Sequence, residues 1–226
     1  MLHSICIIIS LYKLTMNKTK KNDRSKKTKN KTRRNKSNAI KKRNDGTLIF
    51  KDHPEFRPNL TPRDMFKLGS FGGTYWRPIY SSVVGKKLKN VHKKYPKSWW
   101  EGIPDDHLTR PFDDYDTKIN KYGVKVGTTL EFWEEKGWIT KYQPYGWVQW
   151  YCDFYNGRRT PDDERQIDRW LALAGEKGRF KNFLANLIKK KYKNNLKKGL
   201  DDYSISPKIR QVLQHWGYKL RLSDLK

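Results

Sequence analysis

Cysteine is almost missing from this 226-residue chain, which carries only Cys6 and Cys152. Two cysteines cannot build a disulfide framework or a cysteine-rich zinc site, and such sparing use fits a reducing compartment. Cys152 lies in an aromatic run and reads as a small core residue rather than a nucleophile. Long apolar runs are missing too. The stretch Ile5–Leu11 is too short to span a bilayer, so no membrane partner is expected. Residues 1–15 resemble a short apolar leader but lack a positive segment before it and a small-residue cleavage site after it. Met16 opens a basic start, MNKTKKNDRSKK, so residues 1–15 are expected to be a gene-model extension, with a signal peptide as the alternative. The motifs HxxxH, paired CxxC, GxxxxGKS/T and GxSxG do not occur, and His3, His53, His92, His107 and His215 are scattered. No cofactor and no metal are expected.

Acidic residues are the scarcest charge: 23 Asp and Glu stand against 50 Lys and Arg, a formal charge of +27. Residues 16–43 hold fourteen cations and one acid, Asp23, and so contribute +13. The remaining +14 belongs to the rest of the chain, so both parts are basic. Charge of this size destabilises the chain by self-repulsion and attracts polyanions, which points to DNA or RNA as partner. Residues 16–46 contain almost only Lys, Arg, Asn, Ser, Thr and Asp. Such a stretch buries too little apolar surface to offset ordering entropy and reads as a disordered arm. Lys26, Lys27, Arg33, Arg34, Lys41, Lys42 and Arg43 are its candidate phosphate contacts, in runs that equally suit a nuclear-entry signal.

From residue 47 aromatic residues take over, and a globular domain is expected over 47–226. Helix punctuation is readable. Thr61-Pro62-Arg63-Asp64 predicts a helix to Leu68, stopped by Gly69. Thr128 or Thr129 predicts one over Leu130–Lys136. Another begins near Tyr145 and ends at Gly157. Thr160-Pro161 and Ser206-Pro207 open two more. Core stripes follow at helical spacing: Ile167, Trp170, Leu171 and Ala174; Phe180, Phe183, Leu184, Leu187 and Ile188; Ile209, Val212, Leu213 and Trp216. Residues 69–127 read as irregular. Pro78 confines 74–81 to an edge or extended segment, and one short hairpin is expected around Lys118–Val126.

The region 157–193 carries the strongest functional suggestion. Two amphipathic helices joined by Ala-Gly-Glu-Lys-Gly resemble a helix-turn-helix in outline. Its second helix would offer Lys177, Arg179 and Lys181 to a major groove. Arg158 and Arg159 precede the first helix, and Lys189, Lys190, Lys191 and Lys193 crowd the end of the second, where the helix dipole also favours cations. A second basic zone, Lys86–Lys97 followed by Trp99-Trp100, suits a backbone-tracking groove with stacking platforms, or else a solvated face over core tryptophans. Asp113, Asp114 and Asp116 are the carboxylates a magnesium-dependent nuclease would use. Ser70-Phe71-Gly72-Gly73-Thr74 has phosphate-loop residues without the flanking strand and helix, so its glycines read as serving a tight turn.

The segments FRPNLTPRDMFKLGSFGGTYWRPIYSS (56–82), YGWVQWYCDFYNGRRTPDDERQIDRW (145–170) and SPKIRQVLQHWGY (206–218) resemble a group of small basic, aromatic-rich proteins of fungi, algae and large DNA viruses. That resemblance covers most of 50–218, omits the arm, and implies no established activity and no functional residue. Abundant Lys, Asn and Ile point to AT-rich coding, which suits a large DNA virus. The expected fold is mainly α: a single compact helical domain with extended aromatic segments, preceded by a disordered basic arm. The expected function is non-catalytic nucleic-acid binding, DNA favoured over RNA, by phosphate neutralisation with low sequence selectivity, in the nucleus or a virion. The alternatives are a packaging protein of a large DNA virus particle that meets other virion or chromatin proteins, a metal-dependent nuclease, and an RNA-associated protein of ribosomal type.

Overall fold

The computed structural model describes residues 40–226; the expected leader and most of the expected arm lie outside the described residues. The chain divides into two units, Met1–Thr32 and Arg33–Lys226, and every described residue belongs to the second. A boundary at 46 is therefore corrected, because the end of the expected arm is built into the fold. Strand β1 (Lys41–Lys42) pairs antiparallel with β2 (Leu48–Ile49). The turn between them is Asn44-Asp45-Gly46, a strong hairpin signal. Gly46 has φ +85°, and Asp45 Oδ1 accepts from the Thr47 amide at 2.9 Å.

Among the described residues the fold is mainly helical, with two small two-stranded ribbons and no closed barrel. Helix α1 (Pro62–Lys67) has the predicted start: Thr61 and Asp64 form a capping box. Helix α2 (Asp106–Thr109) is a single turn that the sequence did not announce. Helix α3 (Leu130–Glu135) is capped by Thr129 rather than Thr128. Helix α4 (Trp147–Tyr155) starts at Trp147, two residues later than expected, after Gly146 at its N-cap with φ +79°. Helix α5 (Asp163–Ala174) and α6 (Arg179–Lys191) form the expected αα-hairpin. Helix α7 (Leu196–Asp201) follows, and α8 (Pro207–His215) comes last. Ser206 does not cap α8 with its hydroxyl; it takes φ +49° and simply turns the chain.

The hairpin expected at Lys118–Val126 does not form. Asn120 there donates to the Val124 carbonyl and accepts from the Gly72 amide, and the Tyr122 amide donates to Gln211. Those polar groups serve other elements instead of a partner strand. The ribbon sits upstream, where β3 (Ile79–Ser81) pairs antiparallel with β4 (Lys86–Leu88). Pro78 precedes β3, as its missing N–H requires.

Aromatic rings make the core. Phe56 is surrounded by Phe50, Trp147, Trp150, Tyr151, Phe154 and Trp170, with ring centroids 5.1 to 6.2 Å away. Three buried indole N–H groups find acceptors, Trp150 on Asp163, Trp170 on the Trp216 carbonyl and Trp147 on the His215 carbonyl, whereas that of buried Trp76 has none among the described residues. Cys152 is fully buried, and burial pushes its thiol far up, as a core residue requires.

Helix α8 is buried well beyond its predicted stripe. Its polar side chains are satisfied inside. Arg210 donates to the carbonyls of Ile205, Leu200, Asp202 and Gly199, closing the C-terminal end of α7. Gln214 donates to the Met65 carbonyl at 2.7 Å. His215 stacks on Phe71 at 3.8 Å, and its Nε2 accepts from the Phe71 amide at 3.1 Å. Burial depresses the His215 pKa to about 3, so the ring is neutral.

Candidate nucleic-acid interface

The αα-hairpin is the first place to look for the predicted contacts, and much of its charge is already committed. Gly175 and Gly178 make its turn tight: a Cβ on Gly178 would lie 2.6 Å from the Ala174 nitrogen. Arg159 forks onto Asp52, with Nε–Oδ2 at 2.7 Å and Nη2–Oδ1 at 3.2 Å, and its guanidinium lies 3.7 Å over the Phe154 ring. Its side chain is only 16% exposed. Arg158 reaches the buried Asp153 at 3.5 Å.

Lys181 is 14% exposed, 3.9 Å from Asp224 and over the Tyr218 ring. Burial lowers its pKa. Lys191 donates to Asp202 at 2.9 Å. Arg179 is half-buried beside the Phe180 ring. A recognition helix presents its N-terminal residues outward. Here the C-terminal segment 218–225 packs beside Lys181, which leaves Lys177 as the one fully exposed cation of the three expected at a groove. Lys177, Lys190 and half-exposed Lys189 remain at the surface. The predicted core stripe also loses a member, because Phe183 is 48% exposed.

Lys41, Lys42 and Arg43 are exposed on and beside the β1–β2 ribbon. Lys26, Lys27, Arg33 and Arg34 lie outside the described residues.

The second basic zone is the better endowed. Between Asp64 and Glu101 the sequence has no acid and eight cations: Lys67, Arg77, Lys86, Lys87, Lys89, Lys93, Lys94 and Lys97. Lys86, Lys87, Lys89, Lys93 and Lys97 are exposed and make no ion pair with a described residue. Lys94 is the exception, 3.0 Å from Asp153. Trp99 stacks on Tyr95 with rings 5.4 Å apart, and Trp100 packs on Phe66 while its N–H donates to the His92 carbonyl. They are half-buried packing residues rather than platforms. The exposed aromatic is instead Tyr80, on β3. Sequence reasoning passed over it; the signals that pointed there were Pro78 and the run without acids.

Other sequence-level suggestions resolve by geometry. In Ser70–Thr74 the amides of Phe71, Gly72, Gly73 and Thr74 all find acceptors within the protein, on His215, Asn120, Ser70 and Phe71. Phe71, Gly72 and Gly73 all have positive φ, and Cβ atoms at the two glycines would strike Tyr115 and Asp106. The glycines therefore serve a buried tight turn, and no amide is left for a phosphate. Asp114 pairs with Arg110 at 3.3 Å, Asp116 accepts from the Lys118 amide, and Asp113 is exposed. Among the described residues no three His, Cys, Asp or Glu side chains gather as a metal site. A small aromatic cleft, open to solvent, lies between Tyr75, Arg77, Phe112, Tyr115 and Trp133. The Arg77 guanidinium in it is occupied by the Thr74 carbonyl and the Phe112 face.

No helix among the described residues is long and apolar enough to cross a membrane. Comparison with protein-family models, with curated proteins and with solved structures gives no match.

Proposed function

We propose that this protein binds nucleic acid, DNA in preference to RNA, by neutralising backbone phosphates with little sequence selectivity. One observation carries the reading: two stretches free of acids, 65–100 and 177–200, hold eight and nine cations. Ten of these, Lys86, Lys87, Lys89, Lys93, Lys97, Lys177, Lys190, Lys193, Lys197 and Lys198, are exposed and make no ion pair with a described residue. Lysine acts on phosphate as a flexible point charge, which supplies affinity and position without base readout. The aromatic core beneath, one compact helical body with extended aromatic segments in this reading, is the platform that holds these lysines. The nucleus or a virion is where such a chain would meet its polymer.

The test is fluorescence anisotropy of the full chain with labelled DNA and RNA of several sequences across a salt series. The logarithm of affinity should fall linearly with the logarithm of salt, losing about three or more decades between low and physiological salt if six or more phosphates are neutralised. Affinity should vary little among sequences. A response flat in salt overturns the reading.

A further inference from the structure

The β3–β4 ribbon is built differently from its surroundings. Its register sets Ile79 opposite Leu88, Tyr80 opposite Lys87 and Ser81 opposite Lys86. Side chains alternate between faces along a strand, and directly opposed residues share a face. Ile79 and Ser81 turn into the protein and are buried. Tyr80 and Lys87 therefore share the outer face, which Lys89 continues two residues further on, and all three are exposed.

The inner side is fastened. Glu134 accepts from the Ser81 hydroxyl at 2.9 Å, the Ser82 hydroxyl at 2.7 Å and the Ser82 amide at 3.1 Å. Tyr145 donates its hydroxyl to the Arg77 carbonyl at 2.8 Å, just before β3. Glu134 is thereby spent on the serines, and the strands themselves contain no acid. The outer face is positive and aromatic at once. Tyr80 is 62% exposed, and Val83 at the ribbon tip is 39% exposed.

We infer that this outer face is a docking site for single-stranded nucleic acid, with a base stacked on Tyr80 and flanking phosphates on Lys87 and Lys89. The inference rests on the nucleic-acid reading above and names the strand type and the contact. A tyrosine ring open to solvent offers a π-face that any base can cover, without need for base readout. Bases in a duplex interior already have both faces stacked, so only an unpaired strand can use the platform. Lys87 and Lys89 stand about 6.7 Å apart along the strand, twice the rise per residue. That spacing lets two adjacent phosphates of an extended strand each meet one ammonium. Because the ribbon is fastened to Glu134 and Tyr145, the ring is held in place before the strand arrives, which reduces the entropy lost on binding.

The experiment uses the full chain with labelled oligothymidylate and with a duplex of equal length, read by anisotropy at fixed moderate salt. Tyr80→Ala should weaken the single strand about tenfold, inside the range for one stacked base, and change the duplex less than about twofold. Tyr80→Trp should restore or tighten single-strand binding. Lys87→Gln with Lys89→Gln should flatten the single-strand salt slope by about 1.4. Thermal melting at the wild-type temperature would show that these exposed positions leave the fold intact. The inference is overturned if Tyr80→Ala leaves single-strand affinity unchanged, or if it weakens strand and duplex equally, while the wild-type chain still binds both. If the wild-type chain binds neither, the broader nucleic-acid reading falls and takes this one with it.

Discussion

The β3–β4 region and the α5–α6 hairpin look alike as sequence and differ as surface. Each lies in or beside a run of lysines that no local acid interrupts. Yet Arg158, Arg159, Lys181 and Lys191 around the helical hairpin all meet carboxylates, on Asp153, Asp52, Asp224 and Asp202. Among the lysines from 86 to 97 only Lys94 meets a carboxylate of a described residue. Chain folding, not local composition, decides which cations remain for a partner. A charge is available when no distant segment brings an acid to it, and the Arg159 partner is 107 residues away.

The largest way to separate the two regions is by pH. The turn that leads into β3 is held by His215 through the Phe71 amide and by Gln214 through Ser70, while Gly175 and Gly178 let backbone pack tightly at the α5–α6 turn. The folded pKa of His215 is about 3, below the ordinary 6.5. The unfolded chain therefore binds the proton first on acidification. Stability is fully present above about pH 6.5 and declines as pH falls towards the folded value. Each unit of depression corresponds to about 1.4 kcal/mol, so the loss attributable to this ring is several kcal/mol. Denaturant unfolding between pH 7 and 4 should show the decline. His215→Gln, which keeps an acceptor for the Phe71 amide but has no titrating ring, should be less stable at pH 7 and show a shallower decline. An equal slope in both proteins would remove His215 as its source.

The next effect sharpens the contrast in charge. Replacing Lys86, Lys87 and Lys89 together by Gln should weaken DNA binding about thirtyfold and flatten the salt slope by about 2 to 3. Replacing Arg159, Lys181 and Lys191 together by Gln removes the same formal charge. It should change affinity by less than about threefold in protein that is still folded. Anisotropy titrations at three salt concentrations distinguish the two. Equal losses would mean that total charge, and not its exposure, governs binding.

The same contrast explains what could be read in the sequence. Helices α1 and α3 were legible because short-range chemistry starts them, Thr61 with Asp64 and Thr129 with the Phe132 amide, whereas α5 begins two residues after the Pro161 start that Thr160-Pro161 announces, with Asp162 at its N-cap. The buried stripe of α8 followed from spacing, and so did that of α5 except for half-buried Leu171. The hairpin expected at 118–126 does not form because Asn120 within it bonds to Gly72 and Gln211 from α8 takes the Tyr122 amide, while β3 falls inside the extended segment expected at 74–81. Phe183 was assigned to the core because spacing alone cannot show where the packed face of α6 ends. At the candidate interface the lysine runs were legible, but their ion pairs join residues too far apart in sequence for local reasoning. Tyr80 was hidden because an aromatic in a strand is core far more often than platform.

A smaller effect tests the cations that the fold has taken. Arg159→Ala removes a fork onto Asp52 and a guanidinium packed on Phe154. Charged hydrogen bonds of this partly buried kind contribute about 2 kcal/mol together, so the midpoint of urea unfolding should fall accordingly. Lys87→Ala, with no ion pair to a described residue to lose, should stay within about 0.5 kcal/mol of wild type. A stable Arg159→Ala protein with weakened DNA binding would reverse the assignment and return Arg159 to the interface.

The smallest effect runs in the opposite direction and is for that reason informative. Asp202 is held well below the usual carboxylate range by the Ser204 hydroxyl, then by Lys191 and Tyr192. Asp202→Asn deletes that negative charge and releases Lys191 beside exposed Lys190 and Lys193. If the end of α6 faces the polymer, the freed ammonium adds one phosphate contact: binding should tighten about two- to threefold and the salt slope should steepen by about 0.9. A general gain in net charge would also raise affinity slightly, so the slope is the deciding quantity. Asp113→Asn, which adds the same charge on the acidic segment 101–116, is the control, and it should leave the slope unchanged. Identical behaviour of the two variants would place the end of α6 outside the interface and leave the β3–β4 ribbon as the stronger of the two surfaces.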